Sequence, residues 1–164
     1  MLRSQLLSQQ TPVALDAWAR LLRGHAALRR LLSARLQEEH GLSVTDYEAL
    51  LLLSRADDCS LRRVDLAGGL GLSPSGVTRL LDGLEEDGLV EKRSCASDAR
   101  VTYAALTAAG RARLEQSSRS HVADVEAVFA ERYSREELEA LAELLARLPG
   151  AAGADGAACT PGRG

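Results

Sequence analysis

The sequence predicts a mainly α-helical fold with one small β-hairpin, and three observations support this prediction. Only 3% of the 164 residues are aromatic, and the apolar content rests on Leu, Ala and Val, a mixture that favours helices over a sheet-rich sandwich or barrel. Apolar residues recur at helical spacings of three and four over long stretches. Residues 89–93 and 100–106 are the exception, because their sequence is typical of two short strands.

Composition and charge restrict the class of protein. The longest unbroken apolar run covers only residues 49–53, and the N-terminus lacks the apolar stretch and cleavage site of a signal peptide. We therefore expect a cytoplasmic protein that does not enter a membrane. The net charge of −3 shows that the whole molecule is not a polycation. Cys59, Cys95 and Cys159 are odd in number and widely spaced, which predicts neither a disulfide framework nor a zinc cluster.

Two helices are predicted in the N-terminal part. The first covers residues 15–39 and ends at Gly41. Its apolar stripe consists of Trp18, Leu21, Leu22, His25, Leu28, Leu32 and Leu36. The second begins at Thr45-Asp46-Tyr47-Glu48, where the Thr hydroxyl and the Glu carboxylate are expected to form a capping box. It ends near residues 56–58.

The central part predicts two helices joined by a tight turn. The first covers residues 64–70. Gly71 suits the positive φ that ends a helix, Ser73 is a good N-cap, and Pro74 suits the first position of the second helix, which reaches about residue 87. Two helices joined in this way form a helix-turn-helix.

The two strand-like segments predict a β-hairpin, and a hairpin directly after a helix-turn-helix is a wing. Lys92 and Arg93 end its first strand, and Asp98 and Arg100 lie where the hairpin returns. An arginine near the tip can enter the minor groove of DNA, and Asp98 can hold the loop or Arg100 by a charge-assisted hydrogen bond. A solvated hairpin is the alternative interpretation of these charges.

Two further helices and a tail are predicted after the wing. Thr107 is expected to cap a helix that reaches about residue 132. A capping box at Ser134-Arg135-Glu136-Glu137 begins the last helix, which ends at Pro149. Its leucine stripe consists of Leu138, Leu141, Leu144, Leu145 and Leu148. Residues 150–164 are rich in Gly, Ala and Pro, and we expect them to be disordered.

The second helix of the helix-turn-helix has one face that suits DNA. Its core side consists of Val77, Leu80, Leu81 and Leu84, and its outward side of Ser75, Gly76, Thr78, Arg79 and Asp82. A helix that enters a major groove needs little bulk, free amides aimed at phosphate, and side chains that reach base edges. The first outward residues meet these needs, although an ordinary solvated helix face is the alternative.

Residues 64–107 resemble the DNA-binding core of the MarR family of bacterial transcriptional regulators. The matching features, in chain order, are Leu66-Ala67, Leu70-Gly71-Leu72-Ser73, Val77-Thr78-Arg79-Leu80, Leu84-Glu85-Glu86-Asp87-Gly88-Leu89-Val90, Asp98-x-Arg100 and Leu106-Thr107-x-x-Gly110. The likeness extends over about residues 15–148. It implies a homodimer, formed by the N- and C-terminal helices, that presents two winged helices to a pseudo-palindromic operator.

The resemblance divides the chain into four parts. Residues 11–58 hold the N-terminal helices for dimerisation and the start of the core, residues 59–107 the winged helix-turn-helix, residues 108–149 the C-terminal dimerisation helices, and residues 150–164 the tail. The expected DNA contacts are Ser73, Ser75, Gly76, Thr78, Arg79, Arg93 and Arg100, with Asp98 supporting the wing. Residues 61–103 hold six basic and seven acidic side chains. The non-specific affinity for DNA should therefore be modest, and its salt dependence shallow.

The resemblance also implies control by a small aromatic or anionic effector, such as urate or a phenolic acid. Trp18, His25, Asp46 and Arg93 are similar to the set of the family's urate-responsive branch, and Trp18 and His25 share one helix face. The alternative is that Trp18 and His25 are core or interface residues and that Asp46 is a helix-start acid.

A second hypothesis is that oxidation of Cys95 controls the protein. Nearby Lys92 and Arg93 could lower the pKa of this thiol and make it more reactive. We favour no redox role for any of the three cysteines.

Other functions find less support. The sequence has no Gly-rich phosphate loop, no metal-ligand spacing of His and Cys, and no recognisable nucleophile, so we predict neither an enzyme nor a cofactor. The main alternative is a winged-helix module that binds proteins without specific DNA binding, which would not need both Arg79 and Arg100. We predict a homodimeric, ligand-responsive DNA-binding regulator, and a repressor in preference to an activator.

Overall fold

A computed structural model describes residues 12–94 and 102–150 and confirms the predicted class of fold. These residues form six α-helices and one three-stranded antiparallel sheet. The helices are α1 (Val13–His40), α2 (Val44–Arg55), α3 (Arg63–Leu70), α4 (Pro74–Glu86), α5 (Ala108–Ala130) and α6 (Arg135–Ala146). The strands are β1 (Ser60–Arg62), β2 (Val90–Ser94) and β3 (Thr102–Leu106), in the spatial order β1-β3-β2.

Several predictions on the wing and the tail lie outside the described residues. They concern Cys95, Asp98, Arg100 and Cys159, together with the tail beyond Gly150.

The helix α2 begins two residues earlier than predicted. Ser43 is its N-cap: the Ser43 hydroxyl accepts a hydrogen bond from the Asp46 N–H at 3.1 Å, and the Asp46 carboxylate accepts one from the Ser43 N–H at 2.7 Å. The expected box of Thr45 and Glu48 is therefore wrong. Both of those side chains instead accept hydrogen bonds from Arg29 of α1, which tie the two helices together.

The strand β1 was not predicted. It has three residues, too few for an alternating pattern, and it is held by β3, with Leu61 opposite Ala104. A single 3₁₀ turn leads into it, in which Asp58 and Cys59 have φ of 50° and 51°. Cys59 is disulfide-bonded, whereas the number and spacing of the cysteines predict no disulfide framework. The other two cysteines of the chain, Cys95 and Cys159, both lie outside the described residues.

The core lies between α2, the two helices of the helix-turn-helix and the sheet. Its most deeply buried side chains are Leu36, Leu42, Leu50, Leu53, Leu66, Val77 and Leu81. The apolar stripes predicted on α1 and α6 lie partly outside this core and are more exposed. Trp18 on α1 is 57% exposed and Leu144 on α6 is 56% exposed, so neither stripe packs fully within one chain. No helix in the described ranges is both long and apolar enough to cross a lipid bilayer.

Candidate nucleic-acid interface

The start of α4 is fixed by the turn chemistry that the sequence predicts. Gly71 ends α3 with a φ of 64°, and the Ser73 hydroxyl accepts a hydrogen bond from the Gly76 N–H at 3.2 Å. Pro74 occupies the first helical turn, where its missing N–H costs nothing. The N-terminal amides of α4 are thereby presented at the surface of the domain.

The core residues of α4 hold the helix rigidly and set which side faces outward. Val77, Leu81 and Leu84 are each no more than 2% exposed. Because these three side chains face the core, the opposite side of the first two turns faces solvent. There, Ser73, Ser75 and Arg79 are exposed, and Gly76 and Thr78 are half-buried. The structure thus brings these five predicted contact residues onto one surface.

Ion pairs engage three of the five described cations of the winged unit, residues 59–107. On β2, Lys92 Nζ lies 2.6 Å from Glu85 Oε2 and 2.9 Å from Asp82 Oδ1, so it joins this strand to α4. The hydrogen bonds that Lys92 donates to Glu85 and, with a smaller effect, to Asp82 raise the pKa of Lys92. Arg93, a predicted DNA contact, pairs with Glu91 on its own strand at 2.6 Å.

Arg79 and Arg63 differ from these cations. Neither forms an ion pair with any carboxylate in the described part of the chain. Arg79 stands alone on the exposed face of α4. Arg63, the first residue of α3, donates a hydrogen bond from Nη2 to the Thr78 hydroxyl oxygen. Sequence reasoning missed Arg63, because it lies fifteen residues before Thr78 and no local pattern links the two.

The base of the wing is joined firmly to the rest of the domain. Strands β2 and β3 pair from Val90 opposite Leu106 to Ser94 opposite Thr102. Thr107, which caps α5, also donates from its hydroxyl to the Gly88 carbonyl oxygen at 2.8 Å. The base of the hairpin is therefore anchored to the start of α5 and to the turn before β2.

The four residues of the predicted effector set do not meet in one chain. Trp18 and His25 are exposed on α1, while the Asp46 carboxylate is engaged in the cap of α2. Trp18 precedes Arg29, the α1 residue that contacts the start of α2, by eleven positions. At about 1.5 Å per residue, this separates Trp18 from the contact at the start of α2, next to Asp46, by roughly 16 Å along the axis of α1. Arg93 lies on the sheet.

Comparison with known proteins agrees with this geometry. A profile of the MarR family matches residues 42–102, from just before α2 to the first residue of β3. The repressor YetL of Bacillus subtilis, an HTH-type transcriptional repressor, is 38% identical over 108 residues, which cover 66% of this chain and 64% of YetL. The uncharacterized HTH-type transcriptional regulator YdgJ of the same organism is 31% identical over 74% of this chain and 72% of its own length.

Solved structures share the fold over most of the chain. AbsC, a MarR family transcriptional regulator from Streptomyces coelicolor, superposes with a TM-score of 0.72 at 31% identity, over 83% of this chain and 91% of AbsC. Sco3205, a MarR family regulator from the same organism solved in complex with DNA, gives a TM-score of 0.73 at 26% identity, over 82% and 86% of the two chains. The chain therefore belongs to the MarR family of transcriptional regulators.

Proposed function

We propose that the protein is a transcriptional repressor that binds a pseudo-palindromic operator as a homodimer, with α4 in the major groove. The observation that carries this proposal is the position of Arg79. Its side chain has no carboxylate partner among the described residues, and it projects from a small, hydroxyl-bearing helix face that buried residues hold in place. An arginine so placed matches the O6 and N7 acceptors of guanine. Because such a regulator acts on the chromosome, we propose a cytoplasmic location.

Two relatives support DNA as the partner and repression as the outcome. Sco3205 was solved in complex with DNA, and YetL is a repressor by name. Repression requires only that the bound protein blocks transcription, so no catalytic group is needed. In the described ranges, no group of three or more His, Cys, Asp or Glu residues is placed to hold a metal ion.

Exposed apolar side chains support the homodimer. Leu22 on α1 and Leu144 on α6 are 48% and 56% exposed. Between α1 and α5 lies a groove of about 290 Å³, lined in part by Leu28, Leu31 and Phe129. Apolar surface of this extent is typical of a surface that a partner covers. Leu144→Glu should shift the protein toward monomer in sedimentation equilibrium, whereas Glu143→Gln, on the adjacent exposed position, should leave the dimer intact.

DNA binding is tested first by a gel shift with the DNA upstream of the protein's own gene. We expect a discrete complex that survives excess non-specific competitor DNA. Arg79→Gln should lower the affinity for this fragment by roughly 10- to 100-fold, the value of a lost bidentate base contact. Arg20→Gln is the control, because Arg20 is an exposed arginine of α1 that pairs with Asp16.

The role of the wing is tested with Arg100→Ala. Loss of specific binding while the dimer persists would support DNA recognition by the wing. Weak binding by the wild type that any competitor removes equally would instead favour a protein-interaction module.

The second part of the proposal is that a small-molecule effector controls DNA binding. Its candidate site consists of Trp18, His25, Asp46 and Arg93. Since Trp18 lies far from Asp46 in one chain, we infer that a site using both takes Trp18 from the second copy. Isothermal titration with urate and with phenolic acids tests the idea. Absence of heat with the wild type would exclude these compounds as effectors. Unchanged binding by Trp18→Ala would exclude this set of residues as the binding site. Trp18→Phe, which keeps a flat apolar ring, is the control.

A further inference from the structure

We propose that Arg63 is a contact to the DNA backbone, and that Thr78 is the residue that positions it. This inference rests on the proposed DNA binding. Arg63 begins α3 and Thr78 lies on α4, and the hydrogen bond from Arg63 Nη2 to Thr78 Oγ1 joins the two helices of the helix-turn-helix. The guanidinium of Arg63 is thereby held beside the exposed face of α4, although Arg63 belongs to the other helix.

The charges of the winged unit make Arg63 unusual. Three of its described cations are neutralised by nearby carboxylates: Arg62 by Asp65, Lys92 by Glu85 and Asp82, and Arg93 by Glu91. Among the described cations of the winged unit, Arg63 and Arg79 are the two without such a partner. A positive charge that is not neutralised internally is the kind that releases counterions when it meets a phosphate.

The hydrogen-bonding capacity of Arg63 also fits a phosphate. A guanidinium has five N–H donors in a planar fork, and Thr78 accepts from one of its nitrogens. Arg63 is only half-buried, so its remaining donors can be reached from outside. A pair of phosphate oxygens matches two parallel donors of this fork.

Thr78 is oriented for this role by a second hydrogen bond. Its hydroxyl donates to the Pro74 carbonyl oxygen at 2.8 Å, one turn earlier in α4. Because the single hydroxyl hydrogen is used there, the oxygen is left to accept from Arg63. Thr78 then serves DNA binding through the guanidinium that it holds and through its methyl group, and not by donating a hydrogen bond to a base.

The experiment measures operator affinity by fluorescence anisotropy as a function of salt, using the upstream fragment bound in the gel shift. Arg63→Gln should lower the slope of log K against log salt by about 0.9 per subunit, or about 1.8 for a dimer, and weaken binding to all sequences alike. Arg62→Gln is the matched control. It removes an equal charge from the adjacent residue, but one that Asp65 already neutralises, so we expect the wild-type slope.

Further variants separate the charge from the fold. Arg63→Lys keeps the charge and should keep the wild-type slope, and thermal denaturation checks that each variant is folded. A wild-type slope in Arg63→Gln, or an equal loss of slope in Arg62→Gln or Arg63→Lys, would overturn the contact. Failure of the wild type to bind any operator would count against the proposed function, and not against Arg63.

Positioning by Thr78 is tested by coupling. Thr78→Val keeps the size and one methyl group of the side chain but removes the acceptor. We expect it to weaken binding severalfold in the wild type and less in the Arg63→Gln background, because there the guanidinium that Thr78 holds is already gone. Equal losses in the two backgrounds would show that Thr78 acts without Arg63.

Discussion

Gly110 packs directly against the backbone of Leu89, where helix α5 meets the start of β2. A Cβ atom at residue 110 would lie 2.0 Å from the Leu89 carbonyl oxygen and 2.8 Å from Leu106 Cδ1. The same Leu89 oxygen accepts a hydrogen bond from the Thr107 N–H at 3.1 Å. Backbone atoms on both sides therefore fix the distance between α5 and the start of β2, and only glycine fits.

Gly110→Ala should destabilise the protein by about 3 kcal/mol, because the added methyl group has to displace backbone rather than a flexible side chain. Gly83→Ala is the matched control. No atom lies within 4 Å of a Cβ at Gly83 in α4, so the substitution should raise the free energy of unfolding by up to about 1 kcal/mol. Chemical denaturation measures both. Equal stability of the two variants would contradict the close packing.

Ser43 and Thr45 provide a test of where α2 begins. Ser43→Ala removes the acceptor of the Asp46 N–H and should lower the free energy of unfolding by about 1 kcal/mol. Thr45→Ala removes only a half-exposed hydrogen bond to Arg29, and should cost less than about 0.5 kcal/mol. The reverse order in a denaturation experiment would restore Thr45 as the cap.

Lys92 is expected to support DNA binding by neutralising two acids, without contacting DNA. Lys92→Gln leaves Asp82 and Glu85 of α4 without the cation that neutralises them. Because these carboxylates then repel the DNA, operator affinity should fall by about fivefold to tenfold at low salt. The triple variant that adds Asp82→Asn and Glu85→Gln should recover the affinity, since the repelling carboxylates are also gone. A triple variant as weak as Lys92→Gln would show that Lys92 itself touches the DNA.

Local signals explain which parts of the fold could be predicted from the sequence. Ser73, Thr107 and Ser134 each accept a hydrogen bond from an N–H three residues later, so a short window of sequence contains both partners. The start of α2 failed under the same rule, because Ser43 and Thr45 are both followed by an acid at the third position. In the structure Ser43 is the cap, and Thr45 and Glu48 accept hydrogen bonds from Arg29 instead.

The candidate nucleic-acid interface also depends on contacts between residues that are far apart in the sequence. No short stretch of sequence contains both partners of such a contact. The face of α4 was predictable from the spacing of Val77, Leu81 and Leu84. The bond between Arg63 and Thr78 was not, since it depends on how α3 packs on α4. The neutralised state of Lys92 likewise depends on the approach of β2 to α4. Counting charges along the chain therefore gave their balance but not their availability to DNA.

His121 of α5 lies in an apolar contact that disfavours its charged form. Its ring centroid is 4.6 Å from that of Tyr47 in α2, and its Nδ1 atom is buried with no hydrogen-bond partner among the described residues. This burial lowers the pKa of His121 below the usual 6.5, against the opposite effect of Asp124 and Glu48. Arg35 pairs with Asp124 and Arg29 with Glu48, so both acids are already engaged by cations.

The direction of the shift fixes how stability depends on pH. Because the unfolded chain binds the proton at a higher pH than the folded protein, the free energy of unfolding should decrease as the pH falls below about 6.5, until the folded His121 also titrates. His121→Phe keeps a ring against Tyr47 but cannot titrate, so its stability should fall less steeply between about pH 7 and 5. His25→Gln, at an exposed position on α1, controls for the loss of a histidine. Denaturation curves across this range decide the matter: parallel pH profiles for wild type and His121→Phe would mean that another group carries the acid sensitivity.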